Sequence, residues 1–381
     1  MNRLNIQEIK AKSLLQRAKK ADSWFLTKFS MNIYRGCQHN CIYCDGQHEK
    51  YQTSKEFESE ICVKTNAPIL LEKELSLMAK KREKPGFIGI VGGVSDAYQP
   101  VEKEFKLTRQ ILEILESFHY PVMILTKSRL IERDIDLLKK INAKTNVLVA
   151  MSFSSVDDNV SKIFEPGVAL PSQRLKTLQL LKESGIKCGI FLMPVIPFIT
   201  DNFQSMRDVF WESKKIALDF IVFGGMTLKS GRQKKKFYAT LSENFPHLIP
   251  DYDMIYKSHK YGYASEEYYQ SLNAPLLKLS QVYKIPLRIP FFGFDRQFSL
   301  NDKVVVMLEQ IDYLVKLRNQ RSPYGYAAYS ISKLKGPIEQ HQYFLQTIKG
   351  IGQTTEKIIQ EIIRTGRSTY YEKLLLSFGK G

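Results

Sequence analysis

The chain has 381 residues, 44% of them hydrophobic, which is enough for one large catalytic domain and a small appendage. Its first 30 residues are polar and rich in lysine, and no long uncharged apolar run follows, so the sequence predicts neither a signal peptide nor a membrane span. We therefore expect a cytoplasmic protein. The formal net charge of +17 favours polyphosphate partners, but a lysine-rich cytoplasmic proteome gives basic surfaces as well.

From residue 31 onward the chain alternates short apolar runs with longer segments of helical period. The predicted strands are residues 31–36, 87–93, 121–127, 147–153, 188–194 and 220–226. The predicted helices are residues 67–82, 101–118, 131–141, 172–184 and 202–217, with a further one at 302–319. Six strand–helix units with near-continuous apolar strands predict a parallel sheet covered by helices.

An open doubly wound sheet would fit this alternation, but a partial (β/α)6 barrel of the TIM type is favoured. The reason is that a cysteine-rich loop leaves the first strand and polar residues end successive strands, where such barrels carry their chemistry. We expect an α/β fold with this barrel at residues 31–300, an N-terminal extension at 1–30 and a small C-terminal helical region at 301–381. The polar residues at the strand ends include Gly92, Gly93, Ser95, Asp96, Lys127 and Ser154, although residues of these types also form ordinary turns.

Three of the five cysteines, Cys37, Cys41 and Cys44, follow the first predicted strand at C-x₃-C-x₂-C spacing. Thiolates this close in sequence converge on one soft metal centre. Iron–sulfur clusters usually take four cysteines, so this motif leaves one iron open for a ligand that is not protein. The alternative is a structural zinc site, which needs a fourth ligand from His39, His48, Cys62 or Cys188.

In this motif the chain resembles the radical S-adenosylmethionine (SAM) superfamily. Further segments resemble its spore photoproduct lyase-like branch, namely SDAYQPVE at 95–102, LTR at 107–109, ILTKS at 124–128, RD at 133–134, FEPG at 164–167, RL at 174–175 and PVIP at 194–197. The resemblance covers about residues 31–300. It implies a 4Fe–4S cluster on Cys37, Cys41 and Cys44, with SAM on the open iron. It also implies an electron donor such as flavodoxin or ferredoxin, and cleavage of SAM to a 5′-deoxyadenosyl radical.

The resemblance also implies which residues contact SAM. The Tyr43 backbone is expected near the adenine and the Gly92–Gly93 pair near the methionyl amine. Lys127 is expected near the SAM carboxylate, where its ammonium offsets the charge, and Ser154 near the ribose. Ser95 and Asp96 complete the predicted cofactor-binding set. Tyr98 is a candidate catalytic radical relay, although a tyrosine at a barrel mouth is often a packing residue.

One departure from the lyase-like branch concerns the hydrogen donor. The lyase returns a hydrogen atom from a cysteine just before its Ser-Asp pair, but here Gly92, Gly93 and Val94 fill that place. No cysteine lies between Cys62 and Cys188. We therefore expect the general radical chemistry to carry over and spore photoproduct repair itself not to.

The C-terminal region resembles a helix-hairpin-helix module at about residues 343–365. Its Gly-Ile-Gly hairpin would present unpaired backbone N–H groups to a phosphate at a helix N-terminus. The predicted nucleic-acid contacts are Lys349, Gly350, Gly352, Thr354 and Lys357. The alternative is a helical hairpin that only packs on the barrel. The basic run at residues 229–236 is a second candidate contact with a nucleic-acid backbone, or else a solvated loop.

Together these features predict a radical SAM enzyme acting on nucleic acid, DNA in particular, in repair or lesion processing. One alternative is a radical SAM enzyme that modifies a small molecule or peptide and uses the hairpin for docking. A second alternative is a non-catalytic iron–sulfur protein that binds DNA.

Overall fold

The computed structural model describes residues 4–51, 57–81, 84, 86–257 and 261–376. Its strands are β1 (Asn5–Ile9), β2 (Leu15–Arg17), β3 (Thr27–Met31), β4 (Tyr34–Arg35), β5 (Glu60–Lys64), β6 (Phe87–Ile90), β7 (Val122–Thr126), β8 (Val147–Phe153), β9 (Lys187–Val195) and β10 (Ile221–Gly225). Its first helices are α1 (Ala67–Lys80), α2 (Glu102–Phe105), α3 (Leu107–Ser117), α4 (Ile135–Lys144), α5 (Asp158–Phe164), α6 (Pro171–Glu183) and α7 (Phe203–Lys215). The remaining helices are α8 (Arg232–Asn244), α9 (Ile249–Ile255), α10 (Glu266–Ser271), α11 (Asn273–Tyr283), α12 (Leu300–Lys316), α13 (Tyr324–Ile331), α14 (Gln353–Thr365) and α15 (Thr369–Leu375).

A seven-stranded sheet in the order β10-β9-β8-β7-β6-β3-β2 forms the centre of the protein. Six of its strands are parallel, and only the short edge strand β2 pairs antiparallel, with β3. Helices follow the parallel strands, so the predicted partial (β/α)6 barrel is confirmed. The first barrel strand is β3, which ends at Met31, rather than the predicted residues 31–36. Beyond Met31 the chain leaves the barrel, and β4 joins a small second sheet in the order β1-β5-β4.

The two faces of the central sheet pack into two different layers. On β7, Val122 and Ile124 lie in the core beneath the outer helices, whereas Met123 lies in a second core on the inner face. Successive side chains of a strand point to opposite faces, so both faces must be apolar when both are covered. This explains why the strands read as nearly continuous apolar runs.

The inner face of the sheet is covered by the C-terminal region. Helix α12 is buried on several sides, and its residues share a core with Phe191 and Phe220 of the sheet. Its one fully buried amide, Gln310, donates to the carbonyls of Ser23 and Ile289 at 2.9 and 3.1 Å and accepts from the Tyr371 hydroxyl at 2.5 Å. Residues beyond 300 therefore pack against the barrel in one continuous core.

The C-terminal region differs from the predicted pair of helices. The second helix forms as α14, with Gly352 at its N-cap. In place of the first helix the chain makes two short 3-10 turns, Ile338–His341 and Leu345–Thr347. An apolar spacing of three residues, as between Leu345 and Ile348, suits a 3-10 turn as well as an α-helix, so the pattern did not distinguish them.

Two further differences concern element bounds. The helix predicted at residues 67–82 ends at Lys80, and Arg82 lies outside the described residues. The predicted N-terminal and C-terminal regions also include residues outside the described ranges, namely 1–3 and 377–381. Four helices, α8 to α11, lie between β10 and α12 where the sequence pattern predicted none. Within the described ranges, no helix is long and apolar enough to cross a membrane.

Candidate active site

A cavity of about 430 Å³ lies at the C-terminal ends of the parallel strands. It is lined by most of the predicted site residues, namely Cys37, Cys41, Tyr43, Cys44, Gly92, Gly93, Ser95, Asp96 and Lys127. A larger groove of about 840 Å³ runs between α6 and α7, and none of the described residues that line it belongs to the predicted site. The smaller cavity is therefore the candidate active site.

The cysteine loop is fixed in place by backbone geometry and by hydrogen bonds to α5 and from Gln47 just beyond the loop. Gly36 has a φ of +80°, and a Cβ there would lie 2.3 Å from the Glu60 carbonyl oxygen, so only glycine fits. The Ile42 N–H donates to the Phe164 carbonyl at 2.8 Å, and the Gln47 side chain donates to the Cys41 carbonyl at 2.7 Å. These bonds hold the loop against the barrel independently of any metal.

The three motif cysteines are free thiols, with Cys37 and Cys41 buried and Cys44 partly so. Burial raises the pKa of all three thiols, so a metal centre would bind them by displacing their protons. Within the described ranges, no group of three His, Cys, Asp or Glu side chains is arranged around a single metal ion. A multi-iron cluster makes no such demand, because its cysteines bind separate irons.

Lys127 follows β7 and reaches the cavity next to the cysteine loop. Its Nζ is buried and makes no hydrogen bond to any described residue, although Glu165 Oε1 lies 3.4 Å away. The ammonium also lies 5.6 Å from the centre of the Tyr43 ring. A buried ammonium with free donors suits an anionic group in the cavity, such as a carboxylate.

Glu165 is the centre of a buried polar network that the sequence reasoning did not assign to the site. Its carboxylate accepts hydrogen bonds from Tyr43, from the fully buried Arg174 and, at 3.0 Å, from Ser161. Burial alone would raise the pKa of Glu165, but the Arg174 guanidinium and the Lys127 ammonium outweigh burial and hold its pKa at about 2. The only sequence signal was its place in the segments that resemble the lyase-like branch, which says nothing about partners.

Asp96 and Ser95 shape the cavity through bonds to the protein. The Asp96 carboxylate accepts from the backbone N–H groups of Tyr98 and Lys127, both at 2.8 Å, and from the Thr126 hydroxyl at 2.7 Å. It thus joins the loops after β6 and β7. The Ser95 hydroxyl donates to the Tyr34 carbonyl at 2.9 Å.

The two neighbouring glycines differ in what surrounds them. A Cβ on Gly92 would lie 2.2 Å from the Ser95 carbonyl oxygen, whereas a Cβ on Gly93 would meet no atom within 4 Å. Gly92 is therefore required by the protein's own packing. Gly93 leaves open room on the cavity side.

Two predicted site residues do not line the cavity. Tyr98 is fully buried in the hydrophobic core beneath the outer helices, a position that favours the packing interpretation over a radical relay. Ser154 is also buried, and its hydroxyl lies 3.3 Å from Glu165 Oε1, so it contacts the cavity only through the network.

The basic run after β10 contacts the cysteine loop. Lys229 pairs with Asp45, Gln233 donates to the Tyr43 carbonyl at 2.9 Å, and Lys236 donates to the Asn40 side chain. These three residues are engaged in holding the loop that carries the cysteines. The sequence interpretations of this run, a nucleic-acid contact or a solvated loop, missed this role because the partners lie more than 180 residues apart in the chain.

Comparisons with known proteins identify the family and the fold. The model of the radical SAM superfamily matches residues 31–209, from the end of β3 into α7. An uncharacterized protein of Methanocaldococcus jannaschii is 32% identical over 246 residues, which cover 64% of this chain and 85% of that relative. An uncharacterized protein of Mycobacterium tuberculosis is 27% identical over 262 residues, covering 68% of this chain and 75% of that one.

Among solved structures, spore photoproduct lyase complexed with dinucleoside spore photoproduct matches with a TM-score of 0.56. The identity is 16%, and the match covers 73% of this chain and 79% of that chain, so the likeness concerns the fold. The fold is a partial barrel, and three cysteines line the cavity at the C-terminal ends of its strands. The chain belongs to the radical SAM superfamily, whose cofactors are a 4Fe–4S cluster and SAM.

Replacing Glu165 by Gln tests the buried network. The substitution leaves the buried Arg174 and Lys127 without a counter-charge, so we expect the free energy of unfolding to fall by about 3–5 kcal/mol. The pKa of Glu165 is lower in the folded protein than the 4.5 of an unperturbed glutamate, so its stabilisation is complete above that pH and is lost as the pH falls toward about 2. Urea unfolding followed by circular dichroism, at neutral pH and at pH 3, measures both effects.

The matched control is Glu212→Gln, which breaks an exposed ion pair with Lys215 that measures 2.7 Å. We expect it to change stability by less than about 1 kcal/mol. Equal stability of the two variants would mean that Glu165 carries no net charge in the folded protein.

Proposed function

We propose that this radical SAM enzyme acts on nucleic acid, DNA in particular, in repair or lesion processing. The observation that carries the proposal is a cavity that combines three cysteines with the Lys127 ammonium, which pairs with Glu165 but makes no hydrogen bond to a described residue, in a protein whose net charge is +17. The likeness of fold to a lyase complexed with a dinucleoside lesion supports the same substrate class. A cavity of this size suits a small ligand, so a macromolecular substrate would present one group at its mouth.

In this proposal Cys37, Cys41 and Cys44 hold the cluster, and a donor such as flavodoxin or ferredoxin reduces it. The bound cofactors supply the electron and the radical precursor for hydrogen-atom abstraction. Lys127 binds the carboxylate of SAM, because its ammonium makes no hydrogen bond to a described residue and its ion pair with Glu165 orients it toward the cavity. Gly93 allows the ligand to approach the backbone closely.

The lesion we propose differs from spore photoproduct. All five cysteines lie in the described part of the chain, and the cavity lining contains only the three of the motif. Cys188 is buried in the outer core, and Cys62 lies on β5. No further thiol of this chain is therefore available at the cavity to return a hydrogen atom.

The proposed nucleic-acid contact is the start of α14. Lys349, Gly350, Gly352, Thr354 and Lys357 are all exposed to solvent. The first N–H groups of an α-helix have no partner within the helix, and its N-terminus attracts phosphate. Such contacts position a nucleic-acid backbone without reading its sequence.

Replacing Cys41 by Ala tests the cluster assignment. Anaerobic reconstitution of the parent should give about four irons per chain, and reduction should yield 5′-deoxyadenosine from SAM. The Cys41→Ala variant should lose both, whereas the control Cys62→Ala should keep both. Iron analysis and chromatography of the nucleoside measure the outcomes, and a tightly bound zinc in the parent would contradict the assignment.

Replacing Gly93 by Val tests the SAM site. No protein atom lies within 4 Å of the position that a Cβ would take, so the variant should fold normally while its side chain intrudes on the ligand. Overpacking of this kind costs about 1–3 kcal/mol, which corresponds to roughly five- to 150-fold weaker SAM binding. Equilibrium dialysis of the reconstituted protein with labelled SAM measures this affinity. Unchanged SAM affinity would place the ligand elsewhere.

Replacing Gly352 by Val tests the nucleic-acid contact. Here DNA binding should weaken, whereas in Gly93→Val it is SAM binding that should weaken. Gly352 is also surrounded by open space, whereas a Cβ on Gly350 would strike the Tyr326 ring at 2.3 Å and disturb the fold. We expect Gly352→Val to bind a DNA duplex about tenfold more weakly and to keep its SAM affinity. Fluorescence anisotropy measures DNA binding and circular dichroism checks folding. If the variant folds and binds DNA as tightly as the parent, the hairpin only packs against the rest of the protein and does not contact nucleic acid.

A further inference from the structure

An exposed aromatic face lies beside the Gly350–Gly352 hairpin, consisting of the rings of Tyr326, Tyr329, Tyr343 and Phe344. Their relative exposures are 46%, 53%, 81% and 66%. Single exposed aromatic residues are common, but four within 19 positions of one chain segment are not explained by the core that α13 and α14 form beneath them. The face is thus available to a binding partner.

Two rings of the aromatic face form one surface with the hairpin, and the other two precede it closely in the chain. Tyr326 and Tyr329 lie one helical turn apart on α13, with ring centroids 6.4 Å apart and planes inclined by 29°. The Tyr326 ring packs directly on Gly350, where a Cβ would lie 2.3 Å from it. Tyr343 and Phe344 precede the 3-10 turn that leads into the hairpin. Rings and backbone N–H groups are therefore presented together.

Two of these rings have a lysine ammonium beside them. The Lys333 ammonium lies 5.1 Å from the centre of the Tyr329 ring, and the Lys349 ammonium lies 6.0 Å from that of Tyr326. Residues 321–352 contain four Lys and Arg residues and a single Glu. This charge is complementary to a polyanion and unsuited to a neutral or basic partner.

We propose that the aromatic face binds an unpaired, single-stranded stretch of nucleic acid by stacking its bases on the exposed rings. Alternating rings and cations match this ligand, because bases stack on aromatic side chains while phosphates pair with lysines. The stacking requires unpaired bases, so the face selects single-stranded or locally opened nucleic acid over an intact duplex. This inference rests on the proposed function and names the form of nucleic acid that the enzyme engages.

The test compares binding of a labelled 20-nucleotide oligothymidylate and a duplex of equal length by fluorescence anisotropy across salt concentrations. The variant Tyr329→Ser, Tyr343→Ser, Phe344→Ser removes three rings and leaves Tyr326, which packs on the hairpin. We expect at least about tenfold weaker binding of the single strand, a smaller effect on the duplex, and an unchanged salt slope because no charge is lost. The control Trp211→Ser, an exposed ring on α7, should behave as the parent.

A second variant, Lys333→Gln with Lys349→Gln, should instead lower the salt slope for the single strand by about 1.4, or 0.7 for each phosphate contact. Equal single-strand affinity of parent and triple variant, or an equal loss for single strand and duplex, would overturn base stacking while leaving nucleic acid as the substrate. A parent that cleaves SAM but binds neither oligonucleotide would overturn the nucleic-acid function itself and make the face a protein-docking surface.

Discussion

Glu165 carries its charge inside the protein, where a carboxylate is tolerated only when cations and hydrogen-bond donors surround it. Those groups come from separate parts of the barrel: Lys127 follows β7, Arg174 lies on α6, and Tyr43 belongs to the cysteine loop. Arg174 also donates to the Ser152 carbonyl at the end of β8. The Tyr43 hydroxyl thus ties the cysteine loop to this buried carboxylate, in addition to the bonds that the loop makes elsewhere. Losing Glu165 would leave two buried cations without their shared counter-charge.

Local patterns in the sequence predicted the parts of the site that local chemistry determines. Cysteine spacing identified Cys37, Cys41 and Cys44, and the ends of apolar runs identified Gly93 and Lys127, all of which line the cavity. The partners of these residues were not predictable in the same way. The Asp45–Lys229 pair joins residues 184 positions apart, and no periodicity records such a contact.

The fold shows the same limit at a larger scale. Apolar strands covered on both faces look alike whichever layer covers each face, so the strand pattern predicted the parallel sheet but not that α12 fills its inner face. A boundary near residue 300 marks a change in the type of element, from strand–helix alternation to helices alone. It does not mark the edge of a core, because Phe191 and Phe220 of the sheet pack with residues of α12.

The net charge of +17 and the nearly balanced charges of the cavity have different consequences. Around the cavity, the cations of Lys127, Arg174 and Lys229 lie near the carboxylates of Glu165, Asp45 and Asp96, so three charges of each sign nearly balance there. Most of the excess must therefore lie on the surface, where salt screens it within about 10 Å at 0.1 M ionic strength. Binding of a polyanion to that surface depends steeply on salt, whereas buried pairs are screened much less. Under the proposed function, ionic strength should therefore tune how long a nucleic acid stays on the protein and leave the buried ion pairs of the cavity largely unchanged.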